Sequence, residues 1–176
     1  LVPAYYYLIA SLPMLQFGAK PPFSWERFIS LCRDHATAEA VREIEACGAV
    51  DGAEGTAQQG LLRQWVSFEV ALRNELVKIR AVRKKVDPLP FLRPDGSGDT
   101  EVFHSAMNSH RIPALLESER FLDQARWKKL DELSTGHYFD REALVVYALK
   151  LRILLRWERI AAADKQQELE RVLATG

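Results

Sequence analysis

Residues 61–86 carry the longest regular pattern of apolar side chains in this chain, and that pattern most restricts its fold. Eight apolar residues recur at steps of three and four: Leu61, Trp65, Phe68, Leu72, Leu76, Ile79, Val82 and Val86. Such spacing places the side chains on one face of an α-helix. We therefore predict one long amphipathic helix over about residues 58–86, ended by Asp87-Pro88, which needs other helices to cover its apolar face.

A second segment, about residues 141–162, is apolar around most of a helix. Two stripes run along it, one of Val146, Leu149, Ile153, Trp157 and Ile160, the other of Leu144, Tyr147, Leu151 and Leu154. Only a strip with Arg152, Arg156 and Arg159 remains for water. A helix of this kind belongs in the middle of a bundle. We predict that Asp140 caps it and that a separate last helix covers residues 164–173.

Shorter helices are predicted from their caps and stops. Ser24 and Thr37 are suitable N-caps, and the helix after Thr37 stops at Gly48. Further helices are expected at 100–110 and 112–134, with Pro113 in the first turn of the latter. Residues 4–12, rich in Tyr, Leu and Ile between prolines, predict a short extended buried segment, with a short helix as the alternative.

The fold that follows is all-α. Glycine and proline are concentrated at residues 48–60 and 87–100, which we interpret as flexible loops. No segment has the alternation of a paired strand. We predict a single helical domain over residues 1–176, built as a multi-helix bundle around the long helix and the central apolar helix.

The charges exclude an electrostatic attraction of the whole molecule to nucleic acid or to anionic lipid. Lys plus Arg and Asp plus Glu number 24 each, so charge-driven binding would have to come from a local patch. One basic cluster exists, formed by Lys78, Arg80, Arg83, Lys84 and Lys85. It lacks the interleaved aromatic residues of a nucleic-acid surface. We interpret it as complementing the dipole at the end of the long helix.

The location of the protein is inferred from its cysteines and its apolar runs. Cys32 and Cys47 are too few for a disulfide framework, and we interpret them as buried thiols in a reducing compartment. The opening apolar run lacks a basic flank and stops at Pro13, far short of a bilayer span. We expect a cytoplasmic protein, associated with the inner membrane only through a partner. Because the chain begins at Leu1, we also expect a few residues before it.

Motifs for catalysis, cofactors and metals are missing from the sequence. His35, His104, His110 and His137 include no pair at a spacing of three or four, so no preassembled metal pair is predicted. The chain also lacks a phosphate-binding loop and a recognisable nucleophile motif. We expect neither a catalytic residue nor a cofactor. A site assembled from distant histidines and carboxylates stays open as an alternative.

The mixed-charge helix around Trp127 offers two interpretations. A solvated helix face is the simpler one. The other is a docking face for a protein, because Trp and Arg are frequent interface anchors. For that face, and for the turn that follows it, we select the residues Arg120, Asp123, Arg126, Trp127, Asp131, His137 and Tyr138.

Four segments together resemble an uncharacterised bacterial family that is encoded beside V-type (A/V-type) ATPase subunits. The first two are Tyr5-Tyr6-Tyr7-Leu8-Ile9-Ala10-Ser11-Leu12-Pro13 and Pro22-Phe23-Ser24. The third is Arg126-Trp127-Lys128-Lys129-Leu130-Asp131-Glu132-Leu133, running on to Gly136-His137-Tyr138-Phe139-Asp140. The fourth is Tyr147-Ala148-Leu149-Lys150-Leu151-Arg152-Ile153-Leu154-Leu155-Arg156-Trp157. These are packing signatures and contain no catalytic motif.

The resemblance implies an all-α protein similar to a shortened form of the C-type subunit of that ATPase, which is called the d-type subunit in the eukaryotic enzyme. That component is a non-catalytic socket between the membrane rotor ring and the central shaft. The resemblance thus implies a connector or assembly factor for ion transport, with V-type ATPase subunits as partners and without a nucleotide site. The alternative from the residues alone is a stand-alone helical adaptor or regulator.

Overall fold

The computed structural model describes residues 5–48, 60–94 and 100–174. Regular structure in these ranges consists of seven α-helices and one short 3-10 turn at Leu89–Phe91, without a strand. The helices are α1 (Tyr6–Ser11), α2 (Trp25–His35), α3 (Ala38–Gly48), α4 (Gly60–Lys84), α5 (Thr100–Arg111), α6 (Leu115–Leu133) and α7 (Arg141–Ala174). The predicted all-α class is confirmed.

Packing divides the chain into two compact units. Unit 1 comprises residues 1–50 and 136–176, and unit 2 comprises residues 51–135. Unit 1 therefore contains α1, α2, α3 and α7, while unit 2 contains α4, α5 and α6. The division describes where the contacts lie, and the interpretation of the chain as one domain stays a prediction.

Unit 1 is organised around α7. Helices α2 and α3 pack against α7 and against each other, and α1 packs on α2. The buried positions of α7 come from both predicted stripes and include Leu144, Val146, Leu149, Leu151 and Leu154. Because apolar side chains occupy most of its circumference, α7 has neighbours on more than one side, as expected for a central helix.

The predicted caps in unit 1 are present. Ser24 Oγ accepts a hydrogen bond from the Arg27 amide at 3.3 Å, and Thr37 Oγ1 accepts one from the Ala40 amide at 3.3 Å. Asp140 Oδ1 accepts from the Ala143 amide at 3.0 Å. Each of these side chains satisfies an amide in the first turn of its helix, which fixes where α2, α3 and α7 begin.

Unit 2 is organised around α4, which matches the predicted long helix. Its face packs against α5 and α6. The buried cluster between them consists of Ala71, Leu72, Val102, Ala106 and Leu122, with Phe68, Leu76 and Ile79 partly buried around it. The stripe is shorter than predicted, because Val82 and Val86 are exposed.

The end of α4 has the hydrogen bonds of a Schellman motif. The Val86 amide donates to the Ala81 carbonyl at 3.1 Å, and the Lys85 amide donates to the Val82 carbonyl at 3.2 Å. Lys85 has a φ of 55°, the left-handed conformation that this motif requires and that usually selects glycine. The helix thus ends before the predicted Asp87-Pro88, which starts the next turn instead.

The predicted extended segment at the N-terminus is wrong. Residues Tyr6–Ser11 form α1, the alternative that the periodicity leaves open. The helix ends at Leu12, whose ψ of 132° is extended, because the following Pro13 disfavours the α conformation in the residue before it. Only Leu8 of α1 is buried, so most of the apolar side chains in this segment are not fully covered by the rest of the protein.

The predicted break after residue 162 is also wrong, since α7 runs without interruption to Ala174. Asp164 does not cap a new helix. It follows three alanines, which have the highest helix propensity, and neither glycine nor proline stands there to end α7. Residues 161–167 are exposed, so this part extends beyond the core of unit 1.

The remaining differences concern proline and the loops. Pro113 precedes the N-cap Ala114 and is not in the first turn of α6. The predicted loops at 48–60 and 87–100 fall largely on residues 49–59 and 95–99, which lie outside the described residues. The described part, residues 87–94, contains the 3-10 turn.

Candidate interaction surfaces

Two of the selected residues on α6, Asp123 and Arg126, take part in a bridge of charged side chains inside unit 2. Arg126 bridges two carboxylates: its Nε lies 2.7 Å from Glu69 Oε1 of α4, and its Nη1 lies 2.9 Å from Asp123 Oδ1, one turn earlier on α6. The Asp123 side chain is only 1% exposed. The bridge therefore ties α6 to α4 and compensates a buried carboxylate.

The electrostatics of Arg126 favour its charged form. Burial by itself would lower the pKa of the guanidinium, but Glu69 and Asp123 outweigh this and raise the pKa above its ordinary value. A permanently charged arginine between two carboxylates is suited to hold structure. It is unsuited to proton transfer, because its proton is not released at any ordinary pH.

The prediction that Asp123, Arg126 and Trp127 form a docking face is corrected by their positions. Asp123 and Trp127 are buried, and Arg126 is mostly so. Such residues serve the packing of α6, and a partner could reach them only after unit 2 opened. Arg120 and Asp131 are exposed, and their role in binding stays a prediction.

The other two selected residues, His137 and Tyr138, belong to unit 1. They lie in the turn before α7, where Tyr138 is 70% exposed. The next residue, Phe139, has its ring centroid 4.7 Å from that of Tyr6 in α1, and Tyr6 lies 5.6 Å from Tyr7. We call Tyr6, Tyr7, Tyr138 and Phe139 the aromatic patch. All four are exposed.

Sequence reasoning finds only one of the four residues of the aromatic patch. It selects Tyr138, whereas it places Tyr6 and Tyr7 in a buried extended segment. A short helix on the surface packs with one face against the protein, and in α1 the buried residue on that face is Leu8. The sequence offers one signal that these tyrosines could be exposed. The apolar run from Tyr5 to Leu12 is too short to form several helical turns, so a helix there can bury only part of it.

A second set of aromatic rings surrounds the buried Phe28 in unit 1. The ring of Phe28 is 5.3 Å from that of Tyr147 and 6.2 Å from that of Phe23. The Tyr147 hydroxyl donates to the Pro13 carbonyl at 3.0 Å. Burial raises the pKa of Tyr147, so this hydroxyl stays protonated and acts as a hydrogen-bond donor.

His137 and Asp140 form the nearest approach to a metal-binding or catalytic arrangement within the described ranges. His137 Nδ1 lies 2.6 Å from Asp140 Oδ2, and Glu142 brings a third potential ligand within 4.8 Å of both. However, Asp140 Oδ1 caps α7, and Glu142 lies 3.4 Å from a guanidinium nitrogen of Arg141. The N-terminus of a helix carries positive partial charge, which opposes a cation. The arrangement suits a helix cap better than a metal centre.

Both cysteines are buried as predicted, with exposures of 0% and 1%. Burial raises the pKa of each thiol, Cys32 and Cys47, to about 12. At neutral pH they are therefore protonated, and a thiol is a poor nucleophile compared with a thiolate. Their chemistry is that of small core side chains.

One exposed surface is missed by sequence reasoning, and it lies at the end of α4. Val82, Val86, Leu89 and Phe91 are exposed by 49–79%. The basic residues Arg80, Arg83, Lys84 and Lys85 stand among them and are exposed as well. We call residues 80–91 the basic tip. The cluster of cations is a visible signal in the sequence, but the apolar pattern assigns Val82 and Val86 to the core.

Comparison with known proteins gives one match. A family model described as "Protein of unknown function (DUF2764)" matches residues 107–173. Neither the curated proteins nor the solved structures contain a match to this chain. The matched range includes α6, the turn with His137 and Tyr138, and nearly all of α7. None of the described helices is long and apolar enough to cross a membrane.

Proposed function

We propose that this protein is a non-catalytic helical subunit or accessory factor of a bacterial V-type ATPase. It would act as a connector, similar to the C-type subunit, between the membrane rotor ring and the central shaft, or as a factor in their assembly. The proposal starts from the resemblance of the four sequence segments. The family of unknown function overlaps two of them but names no activity.

The observation that carries the proposal is that parts of all four segments contact one another in unit 1, where the third segment contributes its residues 136–140. Tyr6 of the first segment contacts Phe139 of the third at a centroid distance of 4.7 Å. Pro13 of the first accepts the hydrogen bond from Tyr147 of the fourth, whose ring lies 6.3 Å from Phe23 of the second. Segments that resemble a family because of their packing are expected to pack together. This arrangement supports the resemblance at the level of contacts.

The mechanism would be mechanical. A connector transmits force through elements that keep their shape, and packed helices have little freedom to deform. It needs anchoring side chains that a partner can bury, for which exposed aromatic residues are the usual choice. Tyr7 and Tyr138 of the aromatic patch are each 70% exposed. Exposed aromatic residues grouped in this way favour a protein partner over free solvent.

The test is purification of the tagged chain from cells that express the whole ATPase. We expect rotor-ring or shaft subunits to copurify. The double variant Tyr7→Ser with Tyr138→Ser should reduce their recovery by about tenfold, because loss of an aromatic anchor commonly costs over 1 kcal/mol. The matched control is Met14→Ser with Leu115→Ser, which changes two exposed apolar residues outside the patch.

The outcomes separate the alternatives. Recovery of ATPase subunits that depends on the patch and not on the control residues supports the proposal. Recovery of none of these subunits, from cells in which the complex is assembled, contradicts it and leaves the stand-alone adaptor as the better hypothesis. Equal recovery with both double variants would remove the aromatic patch from the interface.

A further inference from the structure

The basic tip projects from the packed part of unit 2. Ala81 is the last buried residue of α4, and the six residues 82–87 that follow are all exposed. Consecutive residues of a helix point about 100° apart. Exposure of every residue in the last turn therefore means that the described residues of unit 2 do not cover this end of the helix on any side.

The composition of the basic tip combines two properties. Residues 80–91 contain four cations, Arg80, Arg83, Lys84 and Lys85, and one carboxylate, that of Asp87. The same stretch exposes four large apolar side chains, those of Val82, Val86, Leu89 and Phe91. Because the whole chain has equal numbers of acidic and basic residues, this local excess of positive charge is a feature of the tip.

The turn in the basic tip is held in a defined position. Asn74 of α4 donates to the Arg93 carbonyl at 2.9 Å and accepts from the Arg93 amide at 3.0 Å. Arg73 donates to the Phe91 carbonyl at 3.0 Å. Asp87 Oδ1 accepts from the Leu89 amide at 3.0 Å, which fixes the start of the 3-10 turn. Leu89 and Phe91 are thus presented to the outside by a braced turn, at little cost of ordering on binding.

We propose that the basic tip binds directly to the surface of an anionic membrane. Cations attract the phospholipid headgroups, and apolar side chains beside them enter the boundary between headgroups and acyl chains. No spanning segment is needed for this mode. It goes beyond the proposed function, in which the membrane is reached only through the rotor ring.

A lipid surface fits the tip better than a protein or a nucleic acid does. A bilayer is fluid and adapts to a projecting turn, whereas a protein partner must supply a groove of matching shape. A single-stranded nucleic acid would need several stacking platforms, and Phe91 is the only aromatic residue in the tip. The positive charge of the tip is complementary to a layer of anionic headgroups. Charge alone would not require exposed apolar side chains, whereas a bilayer also offers an apolar layer that they can enter.

The test is sedimentation of the purified full chain with vesicles. Vesicles of phosphatidylcholine with about one-third phosphatidylglycerol should bind it at low salt, and vesicles of phosphatidylcholine alone should not. Binding should weaken in about 1 M salt, where the screening length falls to about 3 Å. The vesicles contain no protein, so the result is independent of copurification with ATPase subunits.

Variants separate the two components of the surface. R83E with K84E removes two cations, each of which strengthens binding to an anionic surface about fivefold, so we expect a loss of about 25-fold or more. L89S with F91S should weaken binding by about tenfold, since two partly inserted apolar side chains are lost. The matched controls are R27E with R42E and M14S with L115S, which change exposed residues outside the tip. Circular dichroism checks that each variant is folded.

Salt-sensitive binding to anionic vesicles that both tip variants reduce and both controls retain supports the proposal. Absence of vesicle binding by the unaltered chain overturns it. So does binding that the tip variants and controls affect equally. Binding to polyglutamate or to a single-stranded oligonucleotide, without binding to vesicles, overturns it in favour of an acidic protein or a nucleic acid.

Discussion

The two units differ in what they bury. In the described part of unit 1, the buried side chains are apolar, with Phe28, Leu144 and Leu151 among the largest. The described part of unit 2 also buries three polar or charged residues, namely Asn74, Ser109 and Asp123. Each of these three has a partner: Asn74 binds the backbone of Arg93, Ser109 donates to the Ala106 carbonyl at 2.9 Å, and Asp123 binds Arg126.

The two units are specified by different kinds of interaction. Apolar contact is not directional, so the core of unit 1 is held by volume and shape. A buried polar group must meet its partner in the correct geometry, or the cost of removing it from water is not offset. In unit 2 the Glu69–Arg126–Asp123 bridge therefore fixes α6 against α4, and the Asn74 clamp fixes the turn that follows α4. Four substitutions test this contrast, and they follow in order of decreasing effect on stability.

Phe28→Ala should have the largest effect. The ring is fully buried between Trp25, Phe23 and Tyr147, and its loss leaves a cavity in the apolar core of unit 1. We expect the free energy of unfolding to fall by about 3–5 kcal/mol in denaturant titrations. Phe139→Ala, at an exposed ring of the same unit, is the control and should cost far less. A loss below about 1 kcal/mol for Phe28→Ala would contradict an apolar core at this position.

Arg126→Met should destabilise unit 2 by about 2–3 kcal/mol, because it leaves the buried Asp123 carboxylate without its cation. The informative comparison is the double variant Asp123→Leu with Arg126→Met, which removes both charges. If the cost comes from a buried carboxylate that has lost the charge of Arg126, the double variant should recover most of the lost stability in thermal unfolding. A double variant as unstable as the sum of the single changes would show that the bridge is not coupled.

Asn74→Ala should lower the free energy of unfolding by about 1–2 kcal/mol, since two hydrogen bonds to the Arg93 backbone are lost. The turn at residues 87–94 should then exchange its amide hydrogens faster, because its brace to α4 is gone. Arg80→Ala, at an exposed position of the same helix, should change stability by less than about 0.5 kcal/mol. Unchanged hydrogen exchange at the turn in Asn74→Ala would mean that the clamp does not hold it.

Lys85→Gly should have the smallest effect and the opposite sign. At a φ of 55°, a residue with a Cβ is strained and glycine is not, so we expect a gain of about 0.5–1 kcal/mol in the free energy of unfolding. Lys78→Gly, inside α4, removes the same charge but should destabilise by about 1 kcal/mol. Equal signs for the two glycine variants would contradict the Schellman end of the helix.

Helix positions are predicted most accurately where local signals are strong. The periodicity of α4 and the caps at Ser24, Thr37 and Asp140 depend on residues within a few turns of each other. They can therefore be predicted from short stretches of the sequence. The predictions fail where a possible cap is interpreted as a break, as after residue 162 in α7. They also fail at α1, where six residues are too few for periodicity to distinguish helix from strand.

The candidate surfaces are harder to predict. Trp127 and Arg126 have the composition of an interface, yet they serve the core of unit 2, and the same residue types are used in both places. Val82 continues the apolar pattern of α4, yet it is exposed because the helix extends past the residues that cover it. Exposure depends on the neighbours that packing provides, and these lie elsewhere in the sequence.

Local signals in the sequence were enough to predict the all-helical class, the long helix α4 and the residues that begin α2, α3 and α7, because hydrogen bonding and periodicity in a helix act over a few residues. Three features depend on the packing of the folded chain: which apolar side chains are covered, that Arg126 contacts both Glu69 and Asp123, and that Tyr6 lies beside Phe139. Those contacts join residues that different helices and turns supply, and their energies depend on distance in space.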